Sequence, residues 1–155
     1  MEPEANPNFV DLGDNTALVC VDHQQYQKII VPQLIDMTYK VHLGLFEEDV
    51  SLKLKTYNYD VVLIYENFKG ATLQTNPLIR EMAKRHDARR REHFVVLISH
   101  KFATNDAMSA FVQSVDQIIN IADLANLKPV LRRGVSQHRD LYHSFNDMMK
   151  SVQSL

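Results

Sequence analysis

The chain has 155 residues and a mass of 17.9 kDa, 45% of its residues apolar and 23% charged, with 4 Gly and 5 Pro. That length suits one globular domain, and the apolar share is enough for a core, which argues against wholesale disorder. A net charge of −2 and a pI near 6.4 give no basic excess for non-specific nucleic-acid binding. The single cysteine, Cys20, excludes an intramolecular disulfide framework and a cysteine-based zinc cluster, so a reducing, cytoplasmic setting is expected. No apolar run approaches the roughly 18 residues of a membrane span, and no charged-then-apolar leader opens the sequence. Neither a membrane nor a nucleic-acid partner is expected.

Residues 1–15 hold two prolines, several acids and no apolar period, and read as a flexible tail ahead of a domain over 16–155. Ala17–Val21 (ALVCV) is the first apolar run and stops at Asp22 and His23. Gln24–Tyr39 reads as a helix with Tyr26, Ile30, Leu34 and Met37 on one face and a kink expected at Pro32. Val41–Leu45 is a second, less regular apolar run. A helix over Glu47–Tyr57 follows, with Val50, Leu54 and Tyr57 on one face and acids opposing the dipole in its first turn.

Val61–Ile64 (VVLI) leads into Tyr65 and Glu66, and Pro77 opens a helix capped by Asn76, with Leu78, Met82 and His86 sharing a face. The basic cluster Arg85–Arg91 reads as a solvated loop at the amino end of the sheet. Phe94–Ile98 (FVVLI) ends at Ser99 and His100, and Asn105–Ser114 reads as a helix. Ile118–Ile121 is the weakest apolar run. Asp123–Val152 is the longest helical stretch, with a stripe at Leu141, Phe145, Met148 and Val152, although Pro129 and Gly134 argue against one straight helix.

Runs without polar alternation suit strands buried on both faces. Five of them alternating with helices predict an α/β fold, a flavodoxin-like (βα)5 doubly wound parallel sheet with an extended last helix. In such sheets ligands and chemistry gather beyond the carboxyl ends of the strands. The candidate site residues are therefore Asp22, His23, Tyr65, Glu66, Ser99, His100, Asn120 and Ile121. No glycine-rich phosphate loop follows the first strand, so no cofactor is expected.

LVCVDH, YDVVLIYENFKG, FVVLISHKF and FVQSVDQIINIADL, in that order, resemble the receiver domain of bacterial response regulators. The stretches NFKG…TNPLI and FVVLISHKFATNDAMSAFVQSVDQIIN look like the degenerate receivers that some bacteria attach to a zinc-ribbon segment, which one cysteine cannot make. The resemblance covers nearly all of 16–152. It implies an acidic pair at Asp22 and His23, an acceptor aspartate at Tyr65, a hydroxyl at Ser99, and a lysine at Asn120 or Ile121. It also places an aromatic switch residue at Gln117 or Ile118. Only Asp22 and Ser99 keep the family's chemistry.

A phenol with a pKa near 10 is a poor substitute for a carboxylate nucleophile, and the counter-charge for a transferred phosphoryl group is gone. The sequence thus leads us to expect a non-catalytic pseudo-receiver, neither an enzyme nor a holder of cofactor or metal, that binds another signalling protein. The expected surface joins the fourth helix, fifth strand and fifth helix, over 107–115 and 123–141, and the last helix could extend it or support a homodimer. The alternative is an atypical receiver phosphorylated on Glu66 or Asp22 in a phosphorelay. Glu66 reads as a solvent-facing loop acid, since adjacent strand residues point to opposite faces. His23, Glu66 and His100 as metal ligands, and Cys20 as a nucleophile, give way to polar loop residues and a small core residue.

Overall fold

A computed structural model describes residues 15–84 and 93–153. Among the described residues, five strands alternate with five helices: β1 Asn15–Cys20, α1 Gln24–Asp36, β2 Tyr39–Leu43, α2 Glu47–Thr56, β3 Val61–Tyr65, α3 Pro77–Ala83, β4 Phe94–Ser99, α4 Ala107–Gln113, β5 Gln117–Asn120 and α5 Leu127–Gln153. Short 3₁₀ turns at Phe68–Gly70 and Ile121–Asn126 complete the chain order. All strands are parallel, in the order β2-β1-β3-β4-β5. This is the expected doubly wound sheet.

Alternate strand residues feed two separate cores, because side chains leave a strand on opposite faces in turn. Val19, Leu63, Tyr65, Val96, Ile98 and Ile119 pack beneath α1 and α5, meeting Ile30, Leu34, Leu127 and Leu131. Leu18, Cys20, Ile64, Leu97 and Ile118 face the opposite layer, meeting Val50 and Leu54 of α2, Leu78 and Met82 of α3, and Ala110 of α4. Cys20 is wholly buried, and that burial, with Asp49 and Glu81 next in effect, pushes its thiol far above the ordinary range. It is a core residue, as expected.

Element ends depart from the sequence reading for local reasons. The first helix stops at Asp36, not Tyr39, because Thr38 takes a left-handed backbone (φ +66°) and β2 starts directly after it. It continues through Pro32. At Gly44, just past β2, a Cβ would stand 2.5 Å from Val50 Cγ2, so only glycine lets α2 lie this close. Asn76 caps α3 as expected, accepting from the amides of Leu78 and Ile79.

The expected break in the last helix does not occur. α5 is one helix of 27 residues. Pro129 falls in its first turn, where an amide has no intrahelical acceptor to lose. Gly134 is a packing requirement: a Cβ there would stand 2.6 Å from Gln117 Oε1. His86 and the cluster 85–91 lie outside the described residues, as does nearly all of the 1–15 tail; Asn15 itself opens β1.

Candidate functional site

The carboxyl ends of β1, β3, β4 and β5 form one mouth, and the sheet order reverses between β1 and β3. After β1, Asp22 is half-buried and its Oδ2 accepts the Lys69 amide at 3.0 Å. That amide is presented by a turn in which Lys69 and Gly70 both have positive φ, +55° and +78°. His23 is the N-cap of α1. Its Nδ1 accepts the Tyr26 amide at 3.4 Å, and its ring stacks on Tyr26 with centroids 3.8 Å apart.

Tyr65 closes β3. Its phenol is 2.7 Å from His100 Nε2 and its ring meets Tyr26 edge to face at 5.5 Å. Burial first, and then electrostatic interaction with Tyr26, Glu66 and Asp22, raises its pKa above the ordinary tyrosine value. At neutral pH the group is therefore a protonated phenol tied to an imidazole, and a poor nucleophile. His23, Tyr26, Tyr65 and His100 fill the cleft with rings.

Glu66 corrects the sequence reading. It lies on the opposite side of the strand from Tyr65, as alternation requires, yet it is only 6% exposed. Its amide extends the ladder by donating to the Ile98 carbonyl at 3.0 Å, and its Oε1 accepts from Ser99 Oγ at 2.6 Å. Ser99 Oγ in turn accepts the amides of Lys101 and Phe102 at 2.9 and 3.0 Å, fixing the turn after β4. The reading failed because it treated the residue after the strand as loop, whereas the ladder runs on through its amide.

Asn120, at the end of β5, is spent on backbone. Its Oδ1 accepts the Ala122 amide at 2.9 Å and its Nδ2 donates to the Phe102 carbonyl at 2.8 Å. Ile121 packs into the core beneath α1 and α5. Neither carries a cation to the mouth. Gln117 and Ile118 are both buried, and Gln117 Nε2 donates to Asn105 Oδ1 at 2.8 Å and the Val130 carbonyl at 3.1 Å.

The receiver resemblance implies a divalent cation in this mouth, and the donor set does not fit one. A hard cation needs several oxygen ligands; of the acidic pair only Asp22 is a carboxylate, and Glu66 is turned to Ser99. Among the described residues no group of three or more His, Cys, Asp or Glu side chains converges on a common point.

Sequence reasoning missed two residues here. Asn76, identified only as a cap, is fully buried, and its Nδ2 donates to the carbonyls of both Tyr65 and Glu66 at 3.0 and 3.1 Å. Tyr26, identified only as a core-facing helix residue, stands between His23 and Tyr65. Its position on the first turn after the His23 cap was the available signal.

A second feature lies at the free edge of β5. A groove of about 610 Å³ runs between α4 and α5, lined by Phe94, Asn105, Ala110, Gln117, Gly134 and Leu141 among others. Gln117 Oε1 is the buried side-chain polar atom left without a hydrogen-bond partner among the described residues. On α4, Met108, Phe111 and Val112 stand in water, Phe111 being 80% exposed.

No protein-family model and no curated protein matches this chain. Solved structures do. NtrX from Brucella abortus matches 88% of this chain over 30% of its own length, at 19% identity with a TM-score of 0.68. A response regulator from Thermotoga maritima matches 80% of this chain over 99% of its own, at 16% identity and a TM-score of 0.60. The chemotaxis response regulator CheY4 of Vibrio cholerae matches 79% over 99%, at 13% identity and 0.58. The chain has the flavodoxin-like receiver fold. No helix among the described residues is long and apolar enough to cross a membrane.

Proposed function

We propose that this chain is a pseudo-receiver of bacterial signal transduction: a receiver-like domain that acts by binding another signalling protein and does not accept a phosphoryl group on its third strand. The observation that carries this reading is Tyr65. It occupies the position where the resemblance expects the acceptor carboxylate, its proton is held by burial, and its oxygen is engaged with His100. The alternative acceptors have other work: Glu66 is buried against Ser99, and Asp22 takes the Lys69 amide. With Asn120 and Ile121 at the lysine position, a phosphoryl dianion in the mouth would meet no ammonium group from β5.

The binding face in this reading is α4, β5 and α5. Large apolar side chains concentrated on one side of a seven-residue helix are what a partner would cover, beside a groove of small-molecule or side-chain dimensions. A homodimer on this same face would cover the same groove, so a second copy and a different partner would compete for it. A net charge of −2 supports a protein partner over nucleic acid, and a lone, buried Cys20 fits a reducing, cytoplasmic setting.

Incubation with acetyl phosphate and Mg²⁺, read by intact mass, tests the reading. The expected outcome is an unchanged mass. A stable phosphoryl adduct mapped to Asp22 or Glu66 would overturn it in favour of an atypical phosphorelay receiver.

A further inference from the structure

The end of the sheet opposite the mouth holds a second, smaller cavity of about 270 Å³. It opens where β1 and β2 begin, at Asn15 and Tyr39, which sit across from one another in the parallel ladder. α5 contributes Arg132, Ser136 and Arg139 to its lining. Helical steps of four and three bring these three residues onto one face. The two arginines are seven positions apart, a rise of roughly 10 Å that two long guanidinium side chains can close between them, with Ser136 midway.

The chemistry of these groups is one-sided. Tyr39 is 8% exposed, its ring packed into the core beneath α1 and α5. Among the described residues its hydroxyl has no hydrogen-bond partner. Burial, and then Asp60, raise its pKa, while Arg139 of the cavity wall pulls it the other way. Among the described residues neither Arg132 nor Arg139 is ion-paired. The neighbouring acids are engaged elsewhere and do not line the cavity: Asp60 Oδ2 accepts the Thr16 amide at 2.8 Å, and Asp36 faces Lys128 Nζ at 3.8 Å. Two cations and a buried donor with no acceptor among them suit an anion with several oxygens. Guanidinium forks match carboxylate and phosphate alike, but two forks with two flanking hydroxyls offer more donors than a carboxylate's two oxygens can take up together, and as many as a phosphate can.

We infer that this cavity binds the phosphate group of a small molecule, held between Arg132 and Arg139, with the hydroxyls of Tyr39 and Ser136 donating to its remaining oxygens. The binding is non-covalent. It lies at the far end of the strands from Tyr65, so it neither needs nor supplies chemistry at the mouth.

Calorimetric titration of the full chain tests this, with inorganic phosphate and with glycerol 3-phosphate, in chloride at fixed ionic strength. Saturable one-to-one binding is expected. Equal affinity for the two would show that the phosphate group alone is read, and tighter binding of the ester would assign the rest of the cavity to its substituent. Arg132→Gln with Arg139→Gln is expected to weaken binding more than about tenfold, and Tyr39→Phe by roughly fivefold, for one lost hydrogen bond. Both arginines are exposed and Phe keeps the buried ring, so the circular dichroism of these variants should be unchanged. Lys55→Gln with Lys150→Gln removes the same charge from α2 and from the last turn of α5, and is expected to leave the affinity as it was. Absence of saturation, binding that survives the arginine pair, an equal loss with the lysine pair, or acetate bound as tightly as phosphate would overturn the inference. Calorimetry needs no covalent adduct and intact mass reads nothing else, so this proposal and the pseudo-receiver reading fail separately.

Discussion

At the mouth of the sheet, Tyr65, Glu66, Ser99 and Asn120 direct their polar atoms at other residues of the chain. The face built by α4, β5 and α5 does the reverse: it leaves Met108 and Phe111 in water and Gln117 Oε1 without a donor. A site that must capture an anion or a metal keeps groups in reserve, because a bond made within the protein has to be broken before a ligand can use the atom. By that standard the mouth has its polar groups committed to the fold, and the edge face holds the groups in reserve that the proposed partner would meet. On the proposed reading, the difference also accounts for a receiver fold kept without phosphoryl chemistry: the residues facing the mouth stabilise the ends of the strands.

If the mouth is structural, Ser99→Ala is the change it should tolerate least. The substitution leaves the buried Glu66 carboxyl and the amides of Lys101 and Phe102 without their shared partner, at a cost of ~3 kcal/mol. Urea denaturation checks it, as a lower midpoint with an unchanged slope. Adding Glu66→Leu should recover part of the loss, because the stranded polar group is then gone. A loss below about 1 kcal/mol would mean that the mouth is not held by this network, and the contrast with the edge face would weaken.

The edge face gives a smaller test whose sign is informative. Gly134→Ala in an exposed helix would stabilise by up to about 1 kcal/mol. Here the new methyl group would displace the Gln117 amide, which donates to Asn105 and Val130 with about 0.5–1.5 kcal/mol in each bond. The expected net result is a loss of ~1 kcal/mol. In a Gln117→Ala background the same change should become stabilising, because the obstruction is absent. Thermal unfolding of the four variants measures this coupling.

The fold was legible because five unbroken apolar runs cannot be solvated on either face, and that leaves a sheet covered on both sides as the arrangement for them. Element ends were less legible, since they turn on single backbone conformations such as the positive φ of Thr38, which no apolar pattern reports. The site was legible in composition and not in geometry. Tyr65 and Asn120 could be named from their places at the strand ends, but the burial of Glu66 depends on one extra ladder bond to Ile98. Gly134 read as a helix breaker because its reason, the Gln117 side chain, lies 17 positions earlier and one layer away. Long-range pairings of this kind leave no periodic trace in a sequence.

The weakest expected effect concerns the Tyr65 proton. Its pKa stands above the ordinary tyrosine value mainly through burial, with electrostatic interactions with Tyr26, Glu66 and Asp22 adding to it. The folded state therefore holds this proton more tightly than the unfolded chain does. The associated stability is complete below about pH 10, the ordinary tyrosine pKa, and is lost as pH rises through the raised value. Tyr65→Phe should cost about 1 kcal/mol at neutral pH, for the bond to His100, and should make the alkaline decline shallower. It should not abolish the decline. Burial above all pushes Tyr59, whose hydroxyl lies 2.7 Å from His42 Nδ1, up to about 12, so a second phenol on the far side of the sheet resists ionisation as well. Denaturant midpoints measured from neutral to strongly alkaline pH, on the unaltered chain and on Tyr65→Phe, separate the Tyr65 phenol from Tyr59 and from Tyr39, whose pKa burial also raises. Parallel curves would show that the Tyr65 hydroxyl is solvated, and that the mouth keeps a polar group in reserve after all.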